Sequence, residues 1–162
     1  MTPLWWAVAV LAAPAAPAEA SPYAVTLAAW RGHWIGEGQA FGKPATATLD
    51  ITPGEAGTTR LAYRLRVAGS PPITYSAEAN YTVDAKRRVR GQWTDSSGRM
   101  RAVAGGVTAA KWWTHWGSAD VEIGRSTYSL EADGTLAVND SVLQEDGSWR
   151  VFAVLRYRRT KP

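Results

Sequence analysis

The stretch Arg60-Leu61-Ala62-Tyr63-Arg64-Leu65-Arg66-Val67 alternates between apolar and charged side chains. Successive side chains of a β-strand point to opposite faces, so the apolar residues from Leu61 to Val67 share one face and the arginines the other. Residues 73–83 repeat the pattern, with Ile73, Tyr75 and Tyr81 among the apolar positions. Both stretches are typical of half-buried strands, and the chain around them predicts an all-β fold.

Similar short runs recur along the chain, separated by turn sequences such as Asp95-Ser96-Ser97-Gly98. The predicted strands span residues 33–41, 44–52, 58–68, 72–83, 87–94, 98–106, 111–116, 118–124, 126–132, 135–143 and 148–158, with 111–116 and 118–124 alternatively forming one bent strand. About ten consecutive hairpin-linked strands predict a single antiparallel up-and-down barrel, preceded by a short helical turn near residues 25–30. The interior of such a barrel is either packed solid or holds one small ligand.

The first twenty residues have the features of a secretory signal peptide, although no Lys or Arg precedes the apolar stretch. Residues 4–13 are apolar, and Ala18-Glu19-Ala20 matches the small-x-small cleavage pattern. The apolar stretch is too short to span a membrane. We therefore expect a cleaved signal over residues 1–20 and one barrel domain over residues 21–162, exported to the periplasm or secreted as a soluble protein. The sequence contains no cysteine, which excludes disulfides, zinc–thiolate sites and a cysteine nucleophile.

The chain carries 18 Lys and Arg against 14 Asp and Glu, with basic clusters at residues 86–90 and 156–161. Such clusters are typical of solvated outer strand faces, which keep sheet edges soluble. A weak contact with an anionic envelope surface is the alternative. We expect no nucleic-acid partner, because export makes one implausible, and the sequence leaves the oligomeric state open.

Aromatic residues are the candidate ligand contacts, because an indole or phenol joins an apolar body to a polar tip. Alternation places four of them inside the barrel: Tyr63, Tyr75, Tyr81 and Trp93. Trp149 and Val151 are expected to face inward as well. The pentapeptide Trp112-Trp113-Thr114-His115-Trp116 is unusually rich in indoles, and we place Trp113 and His115 nearer the mouth of the barrel.

Few residues suggest catalysis. His115 with Asp120 or Glu122 forms a conceivable base and orienting carboxylate, and Glu37 lies between two glycines. Asp140 lies between two valines on an apolar face, so it is the clearest candidate for a buried charge, which either anchors a ligand amine or, as we favour, pairs with an interior arginine. Histidine and carboxylate spacing suggests no metal site.

The opening Gly32-His33-Trp34, after a short helical turn, resembles the lipocalin and fatty-acid-binding-protein barrels, together called calycins. With Trp34-Ile35-Gly36-Glu37-Gly38, Trp116-Gly117, residues 124–128 and the closing Tyr157-Arg158-Arg159, the chain is similar to a family of bacterial lipocalin-like domains of unknown function. This resemblance implies that Gly32 and Trp34 are structural, with Trp34 at the closed end and Arg156 or Arg158 packing across it. The chain also resembles the nitrobindin-like haem barrels. Those carry a histidine close to the C-terminus, whereas none follows His115 here, so we expect no haem and no other cofactor.

These observations predict a non-catalytic barrel that binds a small hydrophobic or amphipathic molecule in its interior. One alternative is a barrel-type enzyme using His115 or Glu37 for proton transfer. The other is an envelope interaction protein whose solid barrel displays the segment 112–116.

Overall fold

The computed structural model describes residues 27–118 and 122–160, and within them ten strands form a closed antiparallel barrel. Each strand pairs with the next along the chain, and the last pairs with the first. The strands are β1 (Gly32–Ala40), β2 (Lys43–Pro53), β3 (Thr59–Val67), β4 (Ile73–Val83), β5 (Arg88–Asp95), β6 (Met100–Val107), β7 (Lys111–Ser118), β8 (Glu122–Leu130), β9 (Leu136–Leu143) and β10 (Trp149–Arg159). The predicted fold class is therefore confirmed. The predicted signal peptide, residues 1–20, and Asp120 lie outside the described residues.

The predicted separate strand over residues 118–124 is wrong. Ser118 ends β7 and Glu122 begins β8, and these two residues pair with each other across a hairpin. The hairpin glycines of three other connections, Gly98, Gly134 and Gly147, have φ between 80° and 81°. This left-handed conformation is the one that their position after Asp or Ser predicts.

The closed end of the barrel is the end at which the chain enters β1. A helical turn covers it, in which the backbone N–H groups of Trp30 and Arg31 donate to the carbonyls of Leu27 and Ala28. Trp30 and Trp34 are fully buried there, and the Trp34 indole Nε1 donates to the Trp30 carbonyl at 3.0 Å. In the part of the chain that the structure describes, no helix has the length and apolar character needed to cross a membrane.

Further aromatic rings fill the half of the interior next to the closed end. Trp112 packs edge-on against Trp30 and Tyr81, with ring centres 6.2 and 4.9 Å apart, and stacks on Tyr128 at 5.1 Å. Trp112 and Tyr81 are almost completely buried. The core therefore sits mainly in this half of the barrel.

Arg159 is the arginine that packs across Trp34, and the prediction of Arg156 or Arg158 was wrong. The Arg159 guanidinium lies 4.5 Å from the Trp34 ring centre and donates to the Ala29 carbonyl. Tyr157 and Arg159 point inward, whereas the alternating residues Arg156 and Arg158 are exposed on the outer face.

Gly32 lies directly beneath the Arg159 side chain. Its φ is +140°, and a Cβ added to it would lie 3.2 Å from the Arg159 Cδ atom. A side chain at this position would therefore strain the backbone and crowd the arginine.

We expect Arg159→Ala to lower the free energy of unfolding by about 1–2 kcal/mol, because it removes the cation–π contact and the bond to Ala29. Arg158→Ala is the matched control, since its side chain lies on the outer face, and we expect a change within about 0.5 kcal/mol. Urea unfolding of the three proteins measures both effects. An equal loss in the two variants would contradict the assigned facing of β10.

Candidate functional site

The half of the barrel away from the closed end is hollow. A cavity of about 310 Å³ lies there and is bordered at the open end by the exposed side chains of Phe41 and Ile73. Phe41 stacks on Phe152, with ring centres 5.3 Å apart, and its backbone N–H donates to the Phe152 carbonyl. The open end is therefore partly covered by a pair of phenyl rings.

Two inward-facing glycines keep large rings against the barrel wall. Gly36 of β1 lies opposite Tyr157 of β10, and Gly124 of β8 lies opposite Trp116 of β7. A Cβ on Gly36 would lie 2.5 Å from the Tyr157 ring, and one on Gly124 would overlap the Trp116 ring. Because no Cβ intervenes, both rings rest on the neighbouring strand and leave the centre of the barrel free.

Apolar and aromatic side chains form most of the wall. The aromatic part comprises Phe41, Tyr63, Tyr75, Trp93, Trp116, Tyr128, Phe152 and Tyr157. The aliphatic part comprises Leu49, Leu65, Ile73, Val138 and Val142. This lining is typical of sites that bind small organic molecules.

Three of the predicted interior residues meet in this cavity. The Trp93 indole Nε1 donates to the Tyr75 hydroxyl at 2.9 Å, and the Tyr63 ring lies 6.1 Å from each of those rings. Tyr81 faces inward as predicted, but it does not line the cavity, because it packs against Trp112 in the filled half.

Trp113 and His115 do not lie at the mouth, and this predicted placement is corrected. Both face outward: Trp113 is 39% exposed, and His115 lies beside the Trp149 ring at 6.0 Å. Trp112, Thr114 and Trp116 occupy the inward face of β7. The sequence carried a signal for this facing, since Lys111 shares the alternation of Trp113 and His115 and a lysine belongs on the solvent side.

A β-bulge in β10 accounts for the second facing error. Val151 pairs with Ser141 and Ala153 with Asp140, which leaves Phe152 as an extra residue. The bulge reverses the facing of the first residues of β10 relative to strict alternation, so Val151 is exposed rather than inward and Phe152 lines the cavity. Trp149 likewise lies outside, under the Arg125 guanidinium at 4.4 Å.

Asp140 is the carboxylate inside this cavity. It lies midway along β9, paired with Ser126 and Ala153 of the adjacent strands, and faces the cavity. Burial raises the pKa of Asp140 to about 6, although the Ser126 hydroxyl lowers it in part. That hydroxyl accepts from the Trp116 indole at 3.1 Å, and its own proton acts on both the Asp140 carboxylate and the Tyr128 hydroxyl, lowering the pKa of each.

The arginine partner that the sequence favoured for Asp140 is absent from the described residues, where no basic side chain forms an ion pair with it. Arg101, which also lines the cavity, instead contacts Asp95 with its Nη1 at 2.7 Å. Burial alone would raise the pKa of Asp95, but hydrogen bonds from Ser97, Arg101 and Arg99 lower it to about 2. Asp95 therefore neutralises Arg101, while Asp140 keeps its charge uncompensated above its pKa.

The tyrosine hydroxyls around Asp140 stay neutral. Burial raises the pKa of Tyr63, Tyr81 and Tyr157, and the Asp140 carboxylate adds to each rise. The Tyr157 hydroxyl is buried and has no hydrogen-bond partner among the described residues. The inner part of the cavity thus presents the Asp140 carboxylate beside neutral hydroxyls that can donate or accept, whereas Glu122 and Arg150 are exposed at the open end.

The residues proposed for proton transfer lie elsewhere. Glu37 is on the outer face of β1, whereas Trp34 faces inward. His33 pairs with Asp50 on the outer face as well. Across the described ranges, no group of three His or carboxylate side chains could hold a metal ion.

No protein-family model matches this sequence, and a search of the curated proteins finds no match. The closed ten-stranded antiparallel barrel is consistent with a calycin-like architecture, and membership of a particular family stays a prediction.

We expect Asp140→Asn to stabilise the protein near neutral pH. The pKa of Asp140 is about 6 in the folded protein against 3.8 as its ordinary value, so the fold binds this proton more tightly than the unfolded chain does. The stability contributed by the protonated group is fully present below about pH 4 and is lost as the pH rises through about 6. At about pH 7.5 the carboxylate therefore costs up to about 3 kcal/mol, an upper bound because the cavity reaches solvent.

Urea unfolding at several pH values measures this effect, with Glu37→Gln as a control that removes an equal charge from the outer face. The gain from Asp140→Asn should disappear near pH 4, where the wild-type carboxyl is protonated. A variant less stable than the wild type at about pH 7.5 would mean that the carboxylate has a stabilising partner.

Proposed function

We propose that this protein is a calycin-like, non-catalytic barrel that binds a small hydrophobic or amphipathic molecule in its interior. The observation that carries the proposal is the cavity of about 310 Å³ inside the closed sheet. Ligand sites in proteins start at about 300 Å³, so the space suits one small molecule. Export from the cytoplasm remains part of the proposal.

The composition of the wall supports this function over catalysis. Binding would remove apolar ligand surface from water at about 25 cal/mol per Å². The Tyr75–Trp93 hydrogen bond fixes two of the wall rings before a ligand arrives, which lowers the ordering cost of binding. Polar groups are the minority of the wall, and among them Asp140 and the tyrosine hydroxyls would orient the ligand.

The two alternatives have less support. His115 and Glu37, the residues named for an enzyme, lie on the outer face and away from the cavity. The interaction-protein alternative assumed a solid barrel, and a cavity of this size does not fit that assumption.

Binding of N-phenyl-1-naphthylamine, an apolar fluorescent probe, tests the proposal. We expect a saturable rise in emission with one site per chain. Val142→Phe places a ring in the cavity and should weaken binding at least about 10-fold, because the probe loses its space.

Val154→Phe is the matched control, since Val154 is 46% exposed on the outer face. It should leave the affinity unchanged, and circular dichroism should show that both variants keep the barrel. Equal affinities in the two variants, or no saturable binding by the wild type, would contradict an interior binding site.

A further inference from the structure

We propose that the cavity selects small organic cations, such as a protonated primary amine attached to an aromatic ring, and that the Asp140 carboxylate binds the ammonium group. This inference rests on the proposed function, because it names the ligand class of the same cavity. It follows from three features of the wall: an uncompensated carboxylate, an unpartnered hydroxyl and a surrounding set of aromatic rings.

The first feature is the charge of Asp140. A carboxylate placed in an apolar interior is costly unless a cation or several donors accompany it. Ser126 supplies one donor, and the two arginines that line the cavity have other partners. Arg101 contacts Asp95, and the Arg150 Nε donates to the Gln144 side chain at 3.3 Å. Most of the acceptor capacity of the carboxylate is therefore left for a ligand.

The second feature is the Tyr157 hydroxyl, which is buried and makes no hydrogen bond of normal geometry among the described residues, although the Tyr63 hydroxyl acts on its pKa as a donor. Buried hydroxyls are almost always partnered, so this one marks a place for a polar ligand atom. Tyr157 and Asp140 line the same cavity, so the Tyr157 oxygen is available to accept from a polar group of a ligand that Asp140 binds.

The third feature is the ring set. The faces of Tyr63, Tyr128, Tyr157 and Trp93 carry partial negative charge and attract a cation within about 6 Å. The same rings pack against the apolar part of the ligand. A neutral ligand would leave Asp140 charged and desolvated, and an anion would be repelled by it.

The pH dependence of binding follows from the groups that face Asp140. The tyrosines stay neutral, so they do not titrate near neutral pH. The other charged side chains that line the cavity are Arg101 of β6, Glu122 of β8 and Arg150 of β10, and Asp95 of β5 contacts Arg101. Asp95 is ionised down to about pH 2, and Glu122 and Arg150 are exposed at the open end. Protonation of Asp140 as the pH falls through about 6 is then the step that should reduce the preference for cations.

Three ligands with one phenyl ring separate charge from shape: 2-phenylethylamine, 2-phenylethanol and phenylacetate. Isothermal titration calorimetry at about pH 7.5 should show the amine binding about 10-fold to 100-fold more tightly than the alcohol, with the anion weakest. At about pH 5, where only about a tenth of Asp140 is ionised, the preference for the amine should be about 10-fold smaller.

Variants assign the preference to one residue. Asp140→Asn should bring the amine and the alcohol to within about 2-fold, whereas Asp140→Glu should keep the amine ahead. Glu37→Gln removes one negative charge from the outer face and should keep the full preference.

The outcomes separate this inference from the proposed function. Equal binding of amine and alcohol by the wild type, or a preference that survives Asp140→Asn, would overturn cation selection while leaving an interior binding site. If none of the three phenyl ligands binds but N-phenyl-1-naphthylamine does, cation selection alone is overturned. Failure of that probe as well would overturn both.

Discussion

Backbone hydrogen bonds between β1 and β10, from the Trp34–Arg159 pair to the Ala40–Ala153 pair, close the sheet on itself. A barrel of eight strands is just wide enough for its own side chains to fill, and ten strands enclose more space. The chain fills one half of that space with Trp30, Trp34 and Trp112 and leaves the other half hollow. Pairing of β1 with β10 thus encloses both the filled half of the interior and the cavity.

The hollow half depends on where the small residues lie. Gly36 and Gly124 let the Tyr157 and Trp116 rings lie flat against neighbouring strands, so that these large side chains line the interior without crossing it. Within this wall, Asp140 weakens the fold, because burial raises its pKa and no cation among the described residues balances it. A group that costs stability and contacts open space is typical of a site arranged for a ligand.

Much of the fold was predictable from local patterns. The alternation in residues 60–67, 73–83 and 87–94 placed Tyr63, Tyr75 and Trp93 correctly, because these strands are regular and each has one charged or polar face. The turn residues separated most strands correctly. The errors in facing have two causes. The bulge at Phe152 interrupts the alternation of β10 and could not be recognised from residue types. The 112–116 segment has aromatic side chains on both faces, so hydrophobicity alone did not distinguish the inner face from the outer one.

The site was less predictable than the fold, because it depends on pairing across the barrel. Asp140 was recognisable as a buried charge between two valines. Its lack of an arginine partner was not, since Arg101 is taken by Asp95 in a contact within one hairpin. The choice of Arg159 over its neighbours depended in the same way on the register of β10 against β1.

The most direct measurement is the titration of the Asp140 carboxyl carbon by NMR, in the free protein and with 2-phenylethylamine present. We expect a pKa of about 6 for Asp140 in the free protein, and this pKa should fall when the cation binds, because the charged form gains a partner. A carboxyl that titrates near its ordinary value of 3.8, unchanged by the amine, would contradict an uncompensated charge in the interior.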